Sequence, residues 1–393
     1  MKKKNGMFFS LSIAFILIIS TLIVYQFTQK STEKEIKPVS SHALKTREEQ
    51  TAKSFETAVT LRAIGDILIH SPLYRDAWNG EDYDFRTMLE FVKPLLLSAD
   101  ITFANQETIL GGVEMGLSSY PQFNSPVEVG EAFFDAGVDI VSNANNHSLD
   151  LYEKGVLNST KNLSEIGLEY VGSFNSFEDQ ATSRILKRNG MDIGFLAYTY
   201  GTNGIVRPPD KPYLVNYINE EEIIRAVQEL KKQTDFIIIS LHFGNEYQPL
   251  PSSMQKELAT SVINQGADII LGHHPHVLQP AEWITRADGS RGFVIYSLGN
   301  FISGQTTLDR RIGGIMELTL THKVGPIGTE NSIGSPVFTP TYVYHSNYTN
   351  YKIVSLYEAS KYGLPNSNSI FENTKAHMTQ WVPDMRIRKY FTE

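Results

Sequence analysis

Three of the ten histidines lie within four positions, in the segment Gly272-His273-His274-Pro275-His276. The segment directly follows an apolar run, residues 267–271, that predicts a buried strand. Neutral imidazole is the commonest protein ligand for transition metals, and the proline restricts the backbone between the rings. Two interpretations of the segment alone are open: one end of a metal site, or a polar turn whose histidines meet solvent.

The same placement, at the end of an apolar strand, recurs along the chain. Ligands and catalytic groups of open α/β sheets gather at the carboxyl edge of the strands, so these residues are expected to converge. Carboxylate and amide oxygens mixed with imidazole favour Mn, Fe, Zn or a similar divalent ion. For any one residue the alternative is an ordinary turn or a capped loop. The residues so placed are Asp66, Glu107, Asn146, His147, His242, His273, His274 and His276, and His70 lies four residues beyond the first of them.

The elements that must position these residues alternate between helix and strand. Several strands are apolar throughout, which predicts an α/β domain whose sheets are covered on both faces. The predicted strands are 59–64, 101–104, 138–141, 236–241, 267–271 and 293–296, with weaker ones near Tyr170 and at 193–197. The predicted helices are 85–97, 127–136, 152–166, 220–232 and 252–265.

The carboxyl-terminal part, residues 306–393, carries weaker patterns. Strands are predicted at 314–321 and 336–344, and a helix at 368–381. We interpret this part as closing strands plus a carboxyl-terminal extension that packs against the main domain, residues 58–305. A separate binding surface is the alternative.

The amino terminus carries a membrane signal. Lys2, Lys3 and Lys4 precede an uncharged and largely apolar run, residues 7–28, which as a helix would reach about 33 Å and cross a bilayer. A cleaved signal peptide is the rival interpretation, but the run is long for one and no small-residue cleavage site follows. We therefore predict a cytoplasmic tip and transmembrane anchor at 1–28, a polar tether at 29–57, and a single-pass protein of the cell membrane whose large domain is extracytoplasmic.

Composition narrows the classes of partner. The 393 residues carry a net charge of -8, and residues 58–393 contain 26 Lys and Arg against 38 Asp and Glu. A nucleic-acid partner is excluded by this balance, and an anionic substrate needs a local positive centre such as metal ions. The absence of cysteine excludes disulfides, thiolate metal sites and cysteine nucleophiles.

Six short motifs occur in an order that resembles the CapA-type proteins, which are associated with poly-γ-glutamate capsule synthesis and are related to calcineurin-like metallophosphoesterases. The resemblance covers residues 58–305. It implies a four-layered α/β/β/α sandwich of metallophosphoesterase type, two divalent metal ions and a membrane-anchored extracytoplasmic protein. The motifs are Gly65-Asp66, Asn105-x-Glu107, Asn146-His147, His242-Phe243-Gly244, Gly272-His273-His274-Pro275-His276 and Tyr296-Ser297-Leu298-Gly299-Asn300-Phe301.

The resemblance also implies a role for individual residues. Asp66 and His276 would bind the first metal, and Glu107 would be the carboxylate that bridges both. Two ions a few ångströms apart would lower the pKa of a bridging water. At the second metal the ligands would be Asn146, His242 and His274, with His147 beside them as the acid or charge-stabilising group.

The chain departs from the superfamily pattern at two places. The opening Asp-x-His of that pattern would place a histidine at position 68, where this chain has Leu68, so His70 is either a ligand or substrate contact by another path or uninvolved. In the cluster, we favour His274 and His276 as ligands and His273 as a packing or hydrogen-bonding residue, because adjacent residues of an extended segment point opposite ways.

Three polar residues are weaker candidates. Asn105 would orient Glu107 or form a turn, and Asn300 would hydrogen-bond near the metals or cap the next turn. Arg207 lies in an irregular loop and would bind an anion or meet solvent.

Two functions remain open at this point. One is a metal-dependent hydrolase of capsule synthesis that acts on a phosphoester or a related bond. The other is a capsule-polymer assembly or export component that keeps the scaffold without catalysis. Expected partners are the membrane, other capsule-synthesis membrane proteins and an anionic polymer.

Overall fold

The computed structural model describes residues 54–326 and 328–393. The predicted anchor and nearly all of the predicted tether lie outside these ranges. Within them, no helix has the length and apolar character needed to cross a membrane. The first strand begins at Phe55, so the last residues of the predicted tether belong to a sheet.

The first sheet has ten strands and mixes parallel with antiparallel pairs. β1, β2, β3 and β4 are parallel neighbours in that order, and β11 pairs with β1 in parallel. On the other side of β1 the antiparallel strands β12, β14 and β15 follow, with β13 on β12 and β16 on β14. The bounds are β1 Phe55–Leu68, β2 Ile101–Gln106, β3 Ile140–Ser142, β4 Glu169–Val171, β11 Asn300–Ser303, β12 Ile312–Gly325, β13 Gly328–Ile333, β14 Val337–Ser346, β15 Thr349–Ser355 and β16 Arg386–Ile387.

The second sheet has six strands in the order β5-β6-β7-β8-β10-β9. The central strands β6, β7, β8 and β10 are parallel, and the edge strands β5 and β9 are antiparallel to their neighbours. The bounds are β5 Arg184–Arg188, β6 Met191–Thr199, β7 Phe236–His242, β8 Ile269–His273, β9 Leu278–Thr285 and β10 Arg291–Leu298.

The described ranges contain nine α-helices and four 3-10 helices. The bounds are α1 Ser71–Ala77, α2 Arg86–Leu89, α3 Lys93–Leu97, α4 Glu128–Asp135, α5 Tyr152–Ile166, α6 Phe177–Ala181, α7 Glu220–Leu230, α8 Ser253–Asn264 and α9 Ser367–Thr379. The 3-10 helices are Val113–Met115, Pro212–Leu214, Leu308–Arg311 and Leu356–Tyr362.

Alternating side chains of the second sheet enter two different cores. In β7, Phe236 and Ile238 join the core shared with the first sheet, whereas Ile237 and Ile239 pack in a second core with α7 and α8. The shared core lies between the sheets, where the rings of Phe103 and Phe195 stack with centroids 6.1 Å apart. Because side chains alternate across a strand, a strand buried on both faces must be apolar throughout. The structure thus confirms the predicted α/β class with covered sheets.

The carboxyl-terminal residues are built into the first sheet. β12 pairs with β1 from Phe55 to Ile64, and β14 continues the sheet beyond it. A buried charge cluster ties the last residues to this region: Glu317 on β12 accepts hydrogen bonds from Arg62 Nε at 2.8 Å and from Arg388 at 3.0 Å and 3.2 Å. The closing strands are therefore part of the same compact unit as the rest of residues 54–393.

Local patterns predicted most helices within a residue or two of their observed ends. The amphipathic helix 152–166 is observed at the predicted residues, and Gly167 ends it in a left-handed conformation. The predicted helix 85–97 is two short helices, α2 and α3, separated by a turn that precedes Pro94. The strands β5, β9, β11, β13, β15 and β16 and the helices α1 and α6 had no predicted counterpart.

Candidate metal centre

Three neighbouring strands bring Asp66, Asn105 and Asn300 side by side. In the register of the first sheet, Asp66 on β1 pairs with Asn105 on β2 and with Asn300 at the start of β11. All three side chains are fully buried. Because parallel strands end at one edge, residues that are distant in sequence meet there.

Glycine permits the close approach of backbones that positions Asp66. A Cβ on Gly65 would lie 1.9 Å from the carbonyl oxygen of Gly299, so no larger residue fits without moving the chain. The neighbouring amide of Asp66 donates to the same oxygen at 2.9 Å. The Gly-Asp pair therefore places the carboxylate at the sheet edge for a steric reason.

The histidine segment leaves its strand through an unusual backbone. His273 is the last residue of β8, but His274 and His276 have φ angles of +99° and +58°. Non-glycine residues seldom occupy this region, and strain of this kind collects at functional sites. The segment was expected to be extended, but it forms a tight turn that buries the His274 and His276 rings.

Glu107, His274 and His276 form the central cluster of the site. One potential ligand atom from each lies within 4.8 Å of the others. Both carboxylate oxygens of Glu107 are buried and lack a hydrogen-bond partner among the described residues, as does Nδ1 of His274. A buried carboxylate without donors is costly, and a cation between it and the imidazoles would satisfy these atoms. The residues present thus fit a divalent metal ion.

Residues of the second sheet complete the cluster on one side. His242 Nε2 lies 2.8 Å from Asn146 Oδ1 and 3.6 Å from Glu107 Oε1. The Asn105 amide nitrogen donates to Asp66 Oδ1 at 2.8 Å and lies 3.3 Å from His242 Nδ1. Asn105 therefore holds Asp66 and His242 together, which differs from both roles that the sequence left open, orientation of Glu107 and formation of a turn.

Asp66 faces two histidines. Its Oδ2 lies 3.1 Å from His276 Nδ1, and its Oδ1 lies 3.4 Å from His273 Nδ1. Burial would raise the pKa of Asp66, but its interactions with the His273 and His276 imidazoles outweigh burial and hold the pKa well below its usual value. His276 Nδ1 also lies 3.1 Å from Asn300 Oδ1. Asp66 is therefore ionised and available as a ligand at neutral pH.

Burial shifts the pKa values of the other ionisable groups in the cluster. It raises the pKa of Glu107 well above its usual value, and the charge of Asp66 adds to this effect. Burial also lowers the pKa of His274 to about 3 and the pKa of His242 well below its usual range. The pKa of His276 is raised to about 9, because Glu107 and Asp66 outweigh burial. Neutral His242 and His274 have the protonation state that metal binding requires.

His147 has a partner that the sequence analysis missed. Its Nδ1 lies 2.7 Å from Oδ2 of Asp150, which is buried and also accepts from the Phe123 amide at 2.6 Å. A carboxylate bound to one imidazole nitrogen fixes the ring and leaves the other nitrogen free for chemistry. The spacing His147-x-x-Asp150 was the available signal in the sequence.

His70 lies near the cluster but is held by other groups. Its Nδ1 is 3.1 Å from the Leu68 carbonyl oxygen and 3.2 Å from the Gly304 amide nitrogen. Its ring packs edge-on against Phe123, which packs in turn against His147. Burial lowers the pKa of His70 to about 4, so it is neutral at pH 7. The structure thus places His70 beside the site, with Nδ1 occupied.

Two tyrosines that the sequence analysis did not single out border the site. The Tyr200 ring lies 4.6 Å from that of His274 and is 49% exposed, and the Tyr247 ring lies 6.1 Å from that of His276. Burial and the Glu246 carboxylate raise the pKa of Tyr200 and of Tyr247 to about 12. Both phenols therefore stay protonated and can donate hydrogen bonds to a ligand.

Arg207, the loop residue considered as an anion-binding candidate, makes its contacts within its own loop. Arg207 donates to the carbonyl oxygens of Pro212 and Val215 at 3.1 Å and 2.6 Å, and its guanidinium lies over the Tyr217 ring. These contacts stabilise its own loop.

The fold and the buried carboxylate–histidine cluster define a two-sheet α/β protein with a candidate divalent-metal centre at the strand ends. Residues 60–305 match the family described as "Bacterial capsule synthesis protein PGA_cap". The chain belongs to this family, as the resemblance to CapA-type proteins predicted.

Curated relatives agree with the family. The chain is 28% identical over 317 residues to "Capsule biosynthesis protein CapA" of Bacillus anthracis, covering 77% of this chain and 70% of the relative. It is 27% identical over 266 residues to "PGA biosynthesis protein CapA" of Bacillus subtilis (strain 168), covering 64% of this chain and 67% of that protein.

Solved structures with some likeness include two 5'-nucleotidases. A 5'-nucleotidase precursor from Thermus thermophilus matches with a TM-score of 0.44 and 13% identity, over 70% of this chain and 54% of that one. A putative 5'-nucleotidase from Staphylococcus aureus matches with a TM-score of 0.45 and 12% identity, over 75% and 56%. The chain thus spans little more than half of either structure, and likeness at this level supports no functional assignment.

Proposed function

We propose that this chain is a metal-dependent hydrolase of capsule or poly-γ-glutamate synthesis that acts on a phosphoester or a related bond. The observation that carries the proposal is Glu107, a buried carboxylate without hydrogen-bond donors, next to His274 and His276. A buried carboxyl group that lacks hydrogen-bond donors costs stability, and binding of divalent ions is a function that explains its presence here.

The family supports the biological setting. The match to a capsule-synthesis family and the names of the two Bacillus relatives place similar chains in capsule and PGA biosynthesis. By analogy we assign this chain to the same setting, with an anionic polymer and other capsule-synthesis membrane proteins as partners. The metallophosphoesterase-type, four-layered description of the fold is part of this proposal.

Anchoring in the cell membrane is also part of the proposal. The apolar residues 7–28 behind Lys2, Lys3 and Lys4 would hold the chain in the bilayer with the folded domain outside. A hydrolase fixed in this orientation acts on a polymer as it leaves the cell.

The chain's own residues account for binding and proton transfer. Two divalent ions, Mn, Fe or Zn, would supply a water of lowered pKa and charge stabilisation at the attacked centre. The first would be held by Asp66 and His276, the second by Asn146, His242 and His274, with Glu107 between them. Water adds across the scissile bond, and the leaving oxygen takes a proton. We assign the donation of that proton to His147, and the contact between its Nδ1 and Asp150 supports this assignment.

Metal analysis paired with a phosphodiesterase assay tests the proposal. Full-length protein purified in detergent is expected to contain stoichiometric divalent metal and to hydrolyse bis-p-nitrophenyl phosphate. The His274→Ala variant should lose metal and turnover, while His377→Ala, on α9, should keep both. Wild-type protein that is free of metal after reconstitution and inert toward the ester would overturn the proposal.

One observation favours a second function, non-catalytic assembly of the capsule polymer. Leu68 stands where the superfamily pattern has a histidine, and it is only 2% exposed, so it fills the core and contributes no ligand. The first metal would then have fewer protein ligands. Under this alternative the purified protein binds oligo-γ-glutamate and one metal ion but turns over no ester.

A further inference from the structure

Arg310 is a cation at the border of the candidate metal centre with an unused donor. It lies in the 3-10 helix Leu308–Arg311, and its Cζ is 3.5 Å from the centroid of the Tyr247 ring. Its Nε is buried and has no hydrogen-bond partner among the described residues. A buried guanidinium nitrogen without an acceptor is unfavourable unless a ligand supplies one.

The backbone of Arg310 is connected to the centre through Asn300. The Asn300 amide nitrogen donates to the Arg310 carbonyl oxygen at 2.9 Å, while Asn300 Oδ1 lies 3.1 Å from His276 Nδ1. The side chain of Arg310 is also close to the centre, because the Tyr247 ring on which it stacks lies 6.1 Å from the His276 ring. Two routes therefore fix Arg310 relative to the same histidine.

The neighbouring arginine makes its contacts within the protein. Arg311, the next residue, donates to the Val343 carbonyl oxygen at 2.9 Å and lies over the Tyr342 ring. The Nε of Arg311 therefore has a hydrogen-bond acceptor, whereas the Nε of the adjacent Arg310 has none among the described residues. A guanidinium that stacks on an aromatic ring, as that of Arg310 does on Tyr247, can bind a carboxylate or phosphoryl oxygen in its own plane.

We propose that Arg310 is a specificity-determining residue that binds a second oxyanion of the substrate, next to the group held at the metal centre. This inference rests on the proposed function in one respect, that substrate binds at that centre. It assigns the site a substrate with at least two negative groups, such as an anionic polymer or a phosphomonoester with an adjacent charge. Because the chain is acidic as a whole, a single fixed guanidinium at this position has a large effect on which anions bind.

Glu246 supplies the opposing charge at the same border. Its carboxylate acts on Tyr200 and Tyr247, which border the centre, and the residue itself is exposed. An exposed carboxylate beside an anion-binding arginine weakens binding of anions through repulsion. Removal of the Glu246 charge should therefore shift anion affinity in the opposite direction to removal of the Arg310 charge.

The test uses full-length protein in detergent and two readouts. Titration calorimetry in the presence of Mn²⁺ measures the binding of two anions, tri-γ-glutamate and inorganic phosphate. Tri-γ-glutamate carries several carboxylates. Hydrolysis of bis-p-nitrophenyl phosphate is measured separately. The variants are Arg310→Gln, Arg310→Lys and Glu246→Gln, with Arg225→Gln on the exposed face of α7 as the control for net charge.

The expected result is a loss of tri-γ-glutamate affinity by about tenfold to a hundredfold in Arg310→Gln, since hydrogen bonds to charged groups contribute about 1.5–3 kcal/mol. Arg310→Lys should recover part of it, Glu246→Gln should bind more tightly, and Arg225→Gln should match the wild type. Metal content and melting temperature should be the same in all variants, which separates binding from a structural role.

The outcomes distinguish this inference from the proposed function. Equal tri-γ-glutamate affinity in Arg310→Gln and wild type, at equal metal content, would overturn the role of Arg310 whether or not the protein is a hydrolase. If wild type binds the peptide through Arg310 but hydrolyses no ester, the inference stands and the hydrolase proposal fails. Where turnover is observed, Arg310→Gln should raise KM for anionic esters more than it lowers kcat.

Discussion

The Nε2 atom of His242 lies 2.8 Å from Oδ1 of Asn146, although His242 ends β7 of the second sheet and Asn146 lies in the loop that follows β3 of the first sheet. This contact joins the part of the candidate centre that the first sheet carries to the part that the second sheet carries. Since each sheet carries only part of the ligand set, the candidate metal centre exists only after the two sheets have packed. Metal binding should therefore stabilise the packed sandwich rather than either sheet alone.

Glu107→Gln should separate stability from metal binding. In metal-free protein the substitution removes a buried carboxyl whose charged form is disfavoured by burial, as its raised pKa shows, so this variant should be at least as stable as the wild type near pH 7. With Mn²⁺ at about 100 times its dissociation constant, the wild type should gain about 2.7 kcal/mol and the variant much less. Denaturant unfolding with and without EDTA measures both, and Glu114→Gln, at an exposed position, is the control. A variant that gains as much from Mn²⁺ as the wild type would remove Glu107 from the ligand set.

Asp150→Asn should impair the function of His147 without removing metal. The amide can place an N–H against Nδ1 and favour the wrong tautomer, so kcat for an active ester should fall by about 10²–10⁴, the usual range for acid–base catalysis. Metal content should stay at the wild-type value. Asp210→Asn, at an exposed loop position, is the matched control. Unchanged kcat in Asp150→Asn would show that the pair has no part in proton transfer.

Stability at acid pH should depend on Glu317. Burial would raise the pKa of its carboxyl, but hydrogen bonds from Arg388 and Arg62 outweigh it and the pKa is lowered. A carboxyl with a lowered folded-state pKa contributes stability above its unfolded value, about 4.5, and loses it as pH falls toward the folded value. Glu317→Gln should thus lower the unfolding free energy by about 1.5–3 kcal/mol near pH 7, with the difference shrinking below about pH 4.5. Equal stability of the two proteins at pH 7, measured by urea unfolding, would contradict this.

Gly272→Ala should be strongly destabilising. The new Cβ would lie 2.0 Å from the Tyr296 carbonyl oxygen on the neighbouring strand, so β8 or β10 would have to move. We expect an unfolding free energy lower by more than about 4 kcal/mol, or insoluble protein, together with loss of bound metal. Gly325→Ala, whose Cβ would meet only a Gly328 carbonyl oxygen at 3.7 Å, should change stability by less than about 1 kcal/mol.

The sequence was sufficient for the position of the centre but not for its geometry. Asp66, Glu107 and His242 were identified because each follows a run of apolar residues in the sequence, and such runs can be recognised locally. The turn at His274 was not foreseen, since a positive φ at a histidine is imposed by tertiary contacts. Strands such as β9 were missed because local patterning is weak where pairing with β10 decides the structure.

The residues around the centre were harder to predict for the same reason. Asp150 was within reach of sequence reasoning, because it is three residues from His147. Arg310 and Tyr247 are 63 positions apart, and nothing local in either segment indicates that they stack. Contacts of this kind depend on how loops close over the sandwich.

The pairing of β12 with β1 has a consequence for how the protein can be divided. The match to the family model ends at residue 305, yet β1 forms its antiparallel pairs from Phe55 to Ile64 with residues 315–324. A chain cut at 305 would leave a ten-residue row of amides and carbonyls of β1 open to solvent, the kind of edge on which chains associate into aggregates. The segment that matches the family model is therefore shorter than the segment that pairs in the first sheet, and we expect removal of the last 88 residues to lower the solubility of the domain.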